Sequence, residues 1–291
     1  MTLLANIAAP PAPSLLARAA TAIRRNPTIF IGAALLTVLV AVAIIGPWLV
    51  ADPFRQAPIN RLRPPSERFW FGTDQFGRDV FSRTVNGARV SLIVGLAVAA
   101  LASLIGLGIG LLCGYFKRID GIVMRVMDGI MALPDLLLAI TFVALTGASV
   151  RNVVIALVIP QTPRVVRLVR SVVLSLREQP FVEASVALGA GLGRTVLRHV
   201  LPSTLAPLIV QGTYVCASAV LIEAALSFLG AGTPPEIPSW GNIMAEARAH
   251  VRVAFWLLLF PGLFLASTVL SINLLCDGLR DLLDPRLARR M

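Results

Sequence analysis

Long apolar runs separated by shorter polar stretches dominate the chain. About 20 apolar residues in helix cross a bilayer core, where every backbone amide must be satisfied within the segment. Blocks at 29–50, 90–115, 204–229 and 254–275 meet that requirement cleanly. Two more, at 126–147 and 150–172, are interrupted. Asp128, Pro134 and Asp135 break the first; Pro160 and Pro163 break the second, which then turns arginine-rich. The pattern predicts an all-α integral membrane protein of about six transmembrane helices. Gly106 and Gly110 form a GxxxG in the second block, which lets that helix approach another closely.

The polar stretches carry their own patterns. Segment 51–89 opens with Asp52-Pro53 and holds Pro58, Pro64 and Pro65, so it begins irregular. Further on, Val80, Phe81, Val85 and Ala88 fall near helical spacing between Arg78 and Arg89. This fits an amphipathic helix lying at the membrane surface, anchored by Phe69, Trp70 and Phe71, or an ordinary structured loop. Pro234 to Trp240 is a loop stiffened by prolines, with Trp240 suited to the membrane interface. Segment 173–203 is too long for a plain connector and predicts two short helices. Pro180 suits a first helical turn, Gly189 and Gly191 supply a stop, and Leu192–Val200 forms a second helix closed by Pro202.

Composition agrees: 57% of residues are hydrophobic and 14% charged, against roughly a quarter charged in soluble domains. The net charge of +11 does not point to nucleic acid, because the basic residues flank apolar blocks. They also lack the interleaved aromatics that would stack bases. Most Lys and Arg fall at the N-terminus, after the second block, in 164–198 and at the C-terminus. By the positive-inside rule both termini and segment 173–203 are cytoplasmic. The first apolar run is too long for a signal-peptide core and is read as a retained helix. The division is therefore a cytoplasmic segment 1–28, a first helix 29–50, an extracytoplasmic segment 51–89, a transmembrane core 90–275 and a cytoplasmic tail 276–291.

Candidate chemistry is sparse. Cys113, Cys216 and Cys276 are widely separated, without a CxxC pair, and read as small buried hydrophobes. Gly189–Thr195 lacks the spacing and the Lys of a phosphate loop. His199 and His250 stand without catalytic or metal-ligating companions, so no catalytic and no metal residue is assigned. Glu223 lies well inside the fifth block, and Asp128 and Asp135 in or near the third. Intramembrane carboxylates mark translocation paths or structural pairs. For Glu223 the candidates are a passing substrate, a basic residue or backbone donors. The same carboxylates keep a stand-alone, ion-coupled secondary transporter as the alternative, although no inverted repeat is visible.

Segment 173–203 carries a specific likeness. Glu183-Ala184-Ser185, then Gly189, then Leu201-Pro202 resembles the EAA loop, E-A-A-x3-G-x9-I-x-L-P, of bacterial ABC importer permeases. Ser185 replaces the second Ala and His199 replaces the Ile. Phe71–Arg83 (FGTDQFGRDVFSR), Leu226–Gly232 (LSFLGAG), Pro234–Gly241 (PPEIPSWG) and Asp277–Arg286 (DGLRDLLDPR) are similar to the C-type permease of dipeptide, oligopeptide and nickel importers. The resemblance implies a type I ABC importer permease fold with a cytoplasmic EAA coupling helix, set in the bacterial inner membrane. It implies a non-catalytic subunit that forms half of a pathway for peptides or a related small solute. The implied partners are a second permease, two cytoplasmic ATPase subunits or domains, and an extracytoplasmic solute-binding protein. ATP and Mg would be held by the ATPases, with no cofactor in this chain. Glu183 would orient the loop or contact the ATPase, and Gly189 would permit its turn.

Overall fold

The structure is a computed structural model and describes residues 27–283. The expectations for nearly all of segment 1–28 and for the end of the tail, including Arg286, lie outside the described residues. Helix α1 spans Pro27–Leu49, α2 Val80–Tyr115, α3 Lys117–Met131, α4 Asp135–Thr146 and α5 Val150–Arg177. Next come α6, Pro180–Ala187, and α7, Leu192–Thr195, which runs through a π turn at Val196–Val200 into α8, Leu201–Phe228. Helices α9, Trp240–Ala247, and α10, Trp256–Leu283, complete the bundle. Among the described residues, five helices are long and apolar enough to cross a membrane, and α3 with α4 forms a sixth candidate bent by 87°.

Small residues set which helices touch. Gly106, Gly110 and Gly114 recur every four residues and so share one face of α2. Against them lie Val165, Val169 and Val173 of α5, running in the same direction. A Cβ at Gly106 or Gly110 would come within 2.6 Å of a valine Cβ, so glycine is what permits this approach. Gly95 meets Cys216 and Val220 of antiparallel α8, while Gly32 meets Leu274 of antiparallel α10. Val94, Val98, Ala102, Val165, Val169 and Ala219 are among the fully buried residues of the resulting core. Phe30, Val38, Leu96 and Leu104 point outward and are exposed, as expected of surfaces that meet lipid or another subunit rather than water.

The bundle has two distinct ends. At the cap end, residues 51–79 fold over the tips of α2, α9 and α10. Phe71 stacks on Phe260 with ring centroids 4.0 Å apart, and Trp256 Nε1 donates to the Thr73 carbonyl at 3.3 Å. Asp79 caps α2, accepting from the Phe81 and Ser82 amides at 3.2 and 3.3 Å. At the hairpin end, α6 and α7 project between α5 and α8.

Four expectations change. The stretch around 78–89 is no separate surface helix: α2 starts at Val80 and continues unbroken to Tyr115. Arg83 of this stretch is buried, neutralised by Asp74 and Glu246. The third predicted span is two helices, because Pro134 disfavours helix at Leu133 and lacks an amide to continue the ladder. Trp240 is fully buried as the first residue of α9, its Nε1 donating to the Thr84 carbonyl at 3.1 Å, and does not sit at an interface. Pro202 closes no helix. The π turn ahead of it loosens the hydrogen-bond ladder, so its missing amide is accommodated and the chain stays helical from Leu192 to Phe228.

Candidate functional site

The hairpin is built by its terminators. Helix α6 starts at Pro180 and stops at Ala187. Gly189 follows with φ +81°, a left-handed conformation that side chains disfavour. The Leu188 amide donates to the Ala184 carbonyl, and the Ala190 amide to the Ser185 carbonyl at 3.1 Å. The latter is the six-to-one bond of a Schellman stop. Val182, Thr195 and Val200 are buried and fasten the hairpin to the bundle, and the Phe181 and His199 rings meet edge-on at 6.1 Å. Glu183, Ala184 and Pro202 are exposed, while Ser185 and Leu201 are half-buried. Phe181, Leu188, Leu192 and Leu197 are also exposed, with Leu188 at 89%. The product is a short helical hairpin with an apolar surface, continuous through the π turn with α8.

Near the other end of α8, Glu223 is fully buried. Its partners are neither basic residues nor backbone donors but hydroxyls. Ser227 Oγ donates to one carboxyl oxygen at 2.8 Å and Ser91 Oγ to the other at 3.1 Å. Ser227 Oγ in turn accepts from the Thr233 amide at 3.2 Å. Asn242 Nδ2 donates to the Thr233 and Pro234 carbonyls at 3.1 and 3.0 Å. One carboxyl group thus ties α2, α8, the 229–239 loop and α9 together.

The acids of α3 and α4 meet the arginines of α5 in antiparallel order: Asp120 with Arg170, Asp128 with Arg167, Asp135 with Arg164. Asp128 and Arg167 are well exposed, so that pair contributes little. Asp135 is held closely. Arg164 Nη2 lies 2.8 Å from its Oδ2, and the fully buried Gln161 donates to the same oxygen at 3.2 Å. Gln161 also accepts from Arg164 Nη1 at 3.1 Å and donates to Ser218 Oγ of α8 at 3.3 Å.

A further polar cluster lies at the cap end. Arg83 Nη1 contacts Asp74 Oδ2 at 2.7 Å and Glu246 Oε2 at 2.6 Å, and Arg78 Nη2 reaches Glu246 Oε2 at 2.6 Å. Two cations and two anions balance, so the cap is joined to α9 without a net buried charge. The predicted site residues are therefore not one site: the hairpin residues lie at one end, Asp135 in the middle and Glu223 toward the other end. Arg164, expected among the cytoplasmic arginines of 164–198, instead stands halfway along α5 because Asp135 of α4 pairs with it. Gln161, Arg83 and Glu246 were not expected site residues. A polar residue within an apolar block was the available sign for Gln161; nothing local marks Glu246.

Residues 106–289 match the family described as binding-protein-dependent transport system inner membrane component. Residues 14–65 match the N-terminal TM domain of oligopeptide transport permease C. A probable peptide ABC transporter permease protein of Sinorhizobium fredii is 52% identical, over 92% of this chain and 92% of its own. A dipeptide transport system permease protein of Alkalihalophilus pseudofirmus is 43% identical, over 91% of this chain and 88% of its own. Among solved structures, a chain of the MetNI methionine ABC transporter, in inward-facing conformations, superposes with a TM-score of 0.57. That match has 20% identity and covers 69% of this chain and 97% of the other, a likeness of fold.

Proposed function

Because the chain belongs to the family of binding-protein-dependent transport system inner membrane components, we propose that it is one permease subunit of an ATP-driven importer of short peptides. The relatives' peptide and dipeptide assignments support the substrate class. In this reading the hairpin end is cytoplasmic and the cap end extracytoplasmic, as the distribution of Lys and Arg favours. A second permease completes the pathway, two ATPase subunits dock beneath, and a solute-binding protein delivers peptide to the cap end. ATP and Mg stay on the ATPases; this chain converts their motion.

The observation that carries the reading is the exposed apolar surface of the hairpin at Phe181, Leu188, Leu192 and Leu197. Such a surface on a membrane protein's polar end needs a protein partner. A groove on an ATPase would hold it, with Glu183 in the first turn of α6 fixing the approach. Closure of the ATPase pair would push the hairpin, and the helix unbroken from Leu192 to Phe228 would carry the push across the bilayer. Its distant end would then shift the Glu223 junction with α2 and α9. The bundle would rock between two packed states because ATP binding favours one of them.

The test is reconstitution with the cognate permease, ATPases and binding protein. Glu183→Arg and Gly189→Arg are expected to insert at wild-type levels yet lose ATPase capture in pull-downs and lose peptide uptake. Import at the wild-type rate by both variants would exclude the hairpin as the docking element.

A further inference from the structure

Counted along their helices, Asp135 and Arg164 lie well away from the ends of the bundle. Helices α4 and α5 meet at the Gly147–Ser149 turn, and Asp135 opens 12-residue α4 at its opposite end. Arg164 stands halfway along 28-residue α5. At 1.5 Å per residue each is about 17–21 Å from that turn, near the middle of a bilayer core roughly 30 Å thick. Yet the side chains keep 34% and 20% of their surface exposed, Arg164 and Asp135 respectively. A half-exposed ion pair at mid-depth faces water or another polypeptide, not hydrocarbon.

A cavity indicates which. About 860 Å³ of space opens beside α5, α8 and α10, lined among others by Leu168, Gln211, Tyr214, Asn273, Asp277 and Arg280. Leu168 is one turn beyond Arg164 on α5, and Tyr214 is one turn from Ser218 on α8, so Arg164 and Ser218 continue the helix faces that line the cavity, with the ion pair just past its lining residues. The volume lies in the range of small-molecule sites. Its lining adds a second acid and base, Asp277 and Arg280, one turn apart toward the hairpin end.

We propose that this cavity is the hairpin-end half of the solute passage, with the Asp135–Arg164 pair at its mid-membrane end as a contact for zwitterionic peptide. The peptide ammonium takes Asp135 while the carboxylate takes Arg164; each side chain exchanges its internal partner for a terminus of the solute. Opposite charges already satisfied by one another hold a zwitterion weakly, which suits passage better than tight binding. Gln161 is a positioning residue: it holds both members of the pair and, through Ser218, links them to α8, the helix that the hairpin moves. The proposal rests on the peptide-import reading.

The assembled complex in proteoliposomes, with its binding protein and ATPases, tests it using dialanine, dialanine amide and N-acetyl-dialanine. Loss of a charge-assisted contact is expected to lower dialanine uptake about ten-fold or more in Arg164→Gln and in Asp135→Asn. Arg164→Gln should spare the amide and Asp135→Asn the acetylated peptide. In a chain with Cys113, Cys216 and Cys276 replaced by alanine, Arg164→Cys is also expected to react with a membrane-impermeant cationic thiol reagent. The rate should differ between nucleotide-free and vanadate-trapped complexes. Equal loss for all three peptides, or no labelling in either state, overturns the passage and makes the pair a contact between permeases. Wild-type vesicles that import no dialanine defeat the peptide reading itself, a result separable from the other two.

Discussion

A carboxyl group that hydroxyls alone hold inside a membrane bundle is an exacting fit. Ser91 and Ser227 each donate to the Glu223 carboxyl, so removing it takes away the acceptor of both hydroxyls, although Ser227 keeps its contact with the Thr233 amide. A stranded buried polar group costs about 1–3 kcal/mol. Glu223→Leu is therefore expected to lower the apparent melting temperature of the purified chain by about 2–8 °C, read by tryptophan fluorescence. Glu223→Gln keeps an acceptor for one serine and an amide that can donate to the other, and should shift by less than half as much. Equal shifts would mean that the hydroxyl network contributes nothing. The sequence marks Glu223 as an anomaly, since a carboxylate in an apolar block needs an explanation. It does not reveal Ser91, which lies 132 positions away.

Among the helices, glycine spacing decides the closest contact. Gly108 and Gly110 lie two residues apart on α2, yet a Cβ at Gly108 meets nothing within 4 Å, whereas one at Gly110 runs into Val169. Valine at either position changes helix propensity alike, so the comparison isolates packing. Gly110→Val is expected to destabilise by about 1–3 kcal/mol through overpacking and to reduce monodisperse protein on size exclusion, with Gly108→Val close to wild type. Similar losses for both would remove the α2–α5 contact as the cause. The GxxxG pattern announced a close approach, but its partner became visible only when Val165 and Val169 were seen beneath it. The start of α2 was misplaced for a related reason. Nothing near Arg78 and Arg83 in the sequence accounts for burying them; their partner Glu246 lies 163 positions beyond Arg83.

For the whole molecule, the two ends must face opposite compartments. Leu188 projects from the hairpin and Glu67 from the cap, both exposed. In the same cysteine-free background, Leu188→Cys is expected to react with an impermeant thiol reagent only in inside-out vesicles. Glu67→Cys should react only in intact spheroplasts. The reverse pattern would invert the orientation and separate the hairpin from any cytosolic ATPase.

The clean apolar spans and the turn of the hairpin could be read from residue order because their causes are local. Twenty apolar residues in a row satisfy the bilayer condition without reference to the rest of the chain, and Gly189 ends a helix by its own backbone freedom. Tertiary structure alone decided that Arg83 and Trp240 are buried, that Glu223 is held by hydroxyls, and that Asp135 meets Arg164. In each case the free energy of a polar or bulky group depends on partners far away in the chain, and only folding brings those partners within bonding distance.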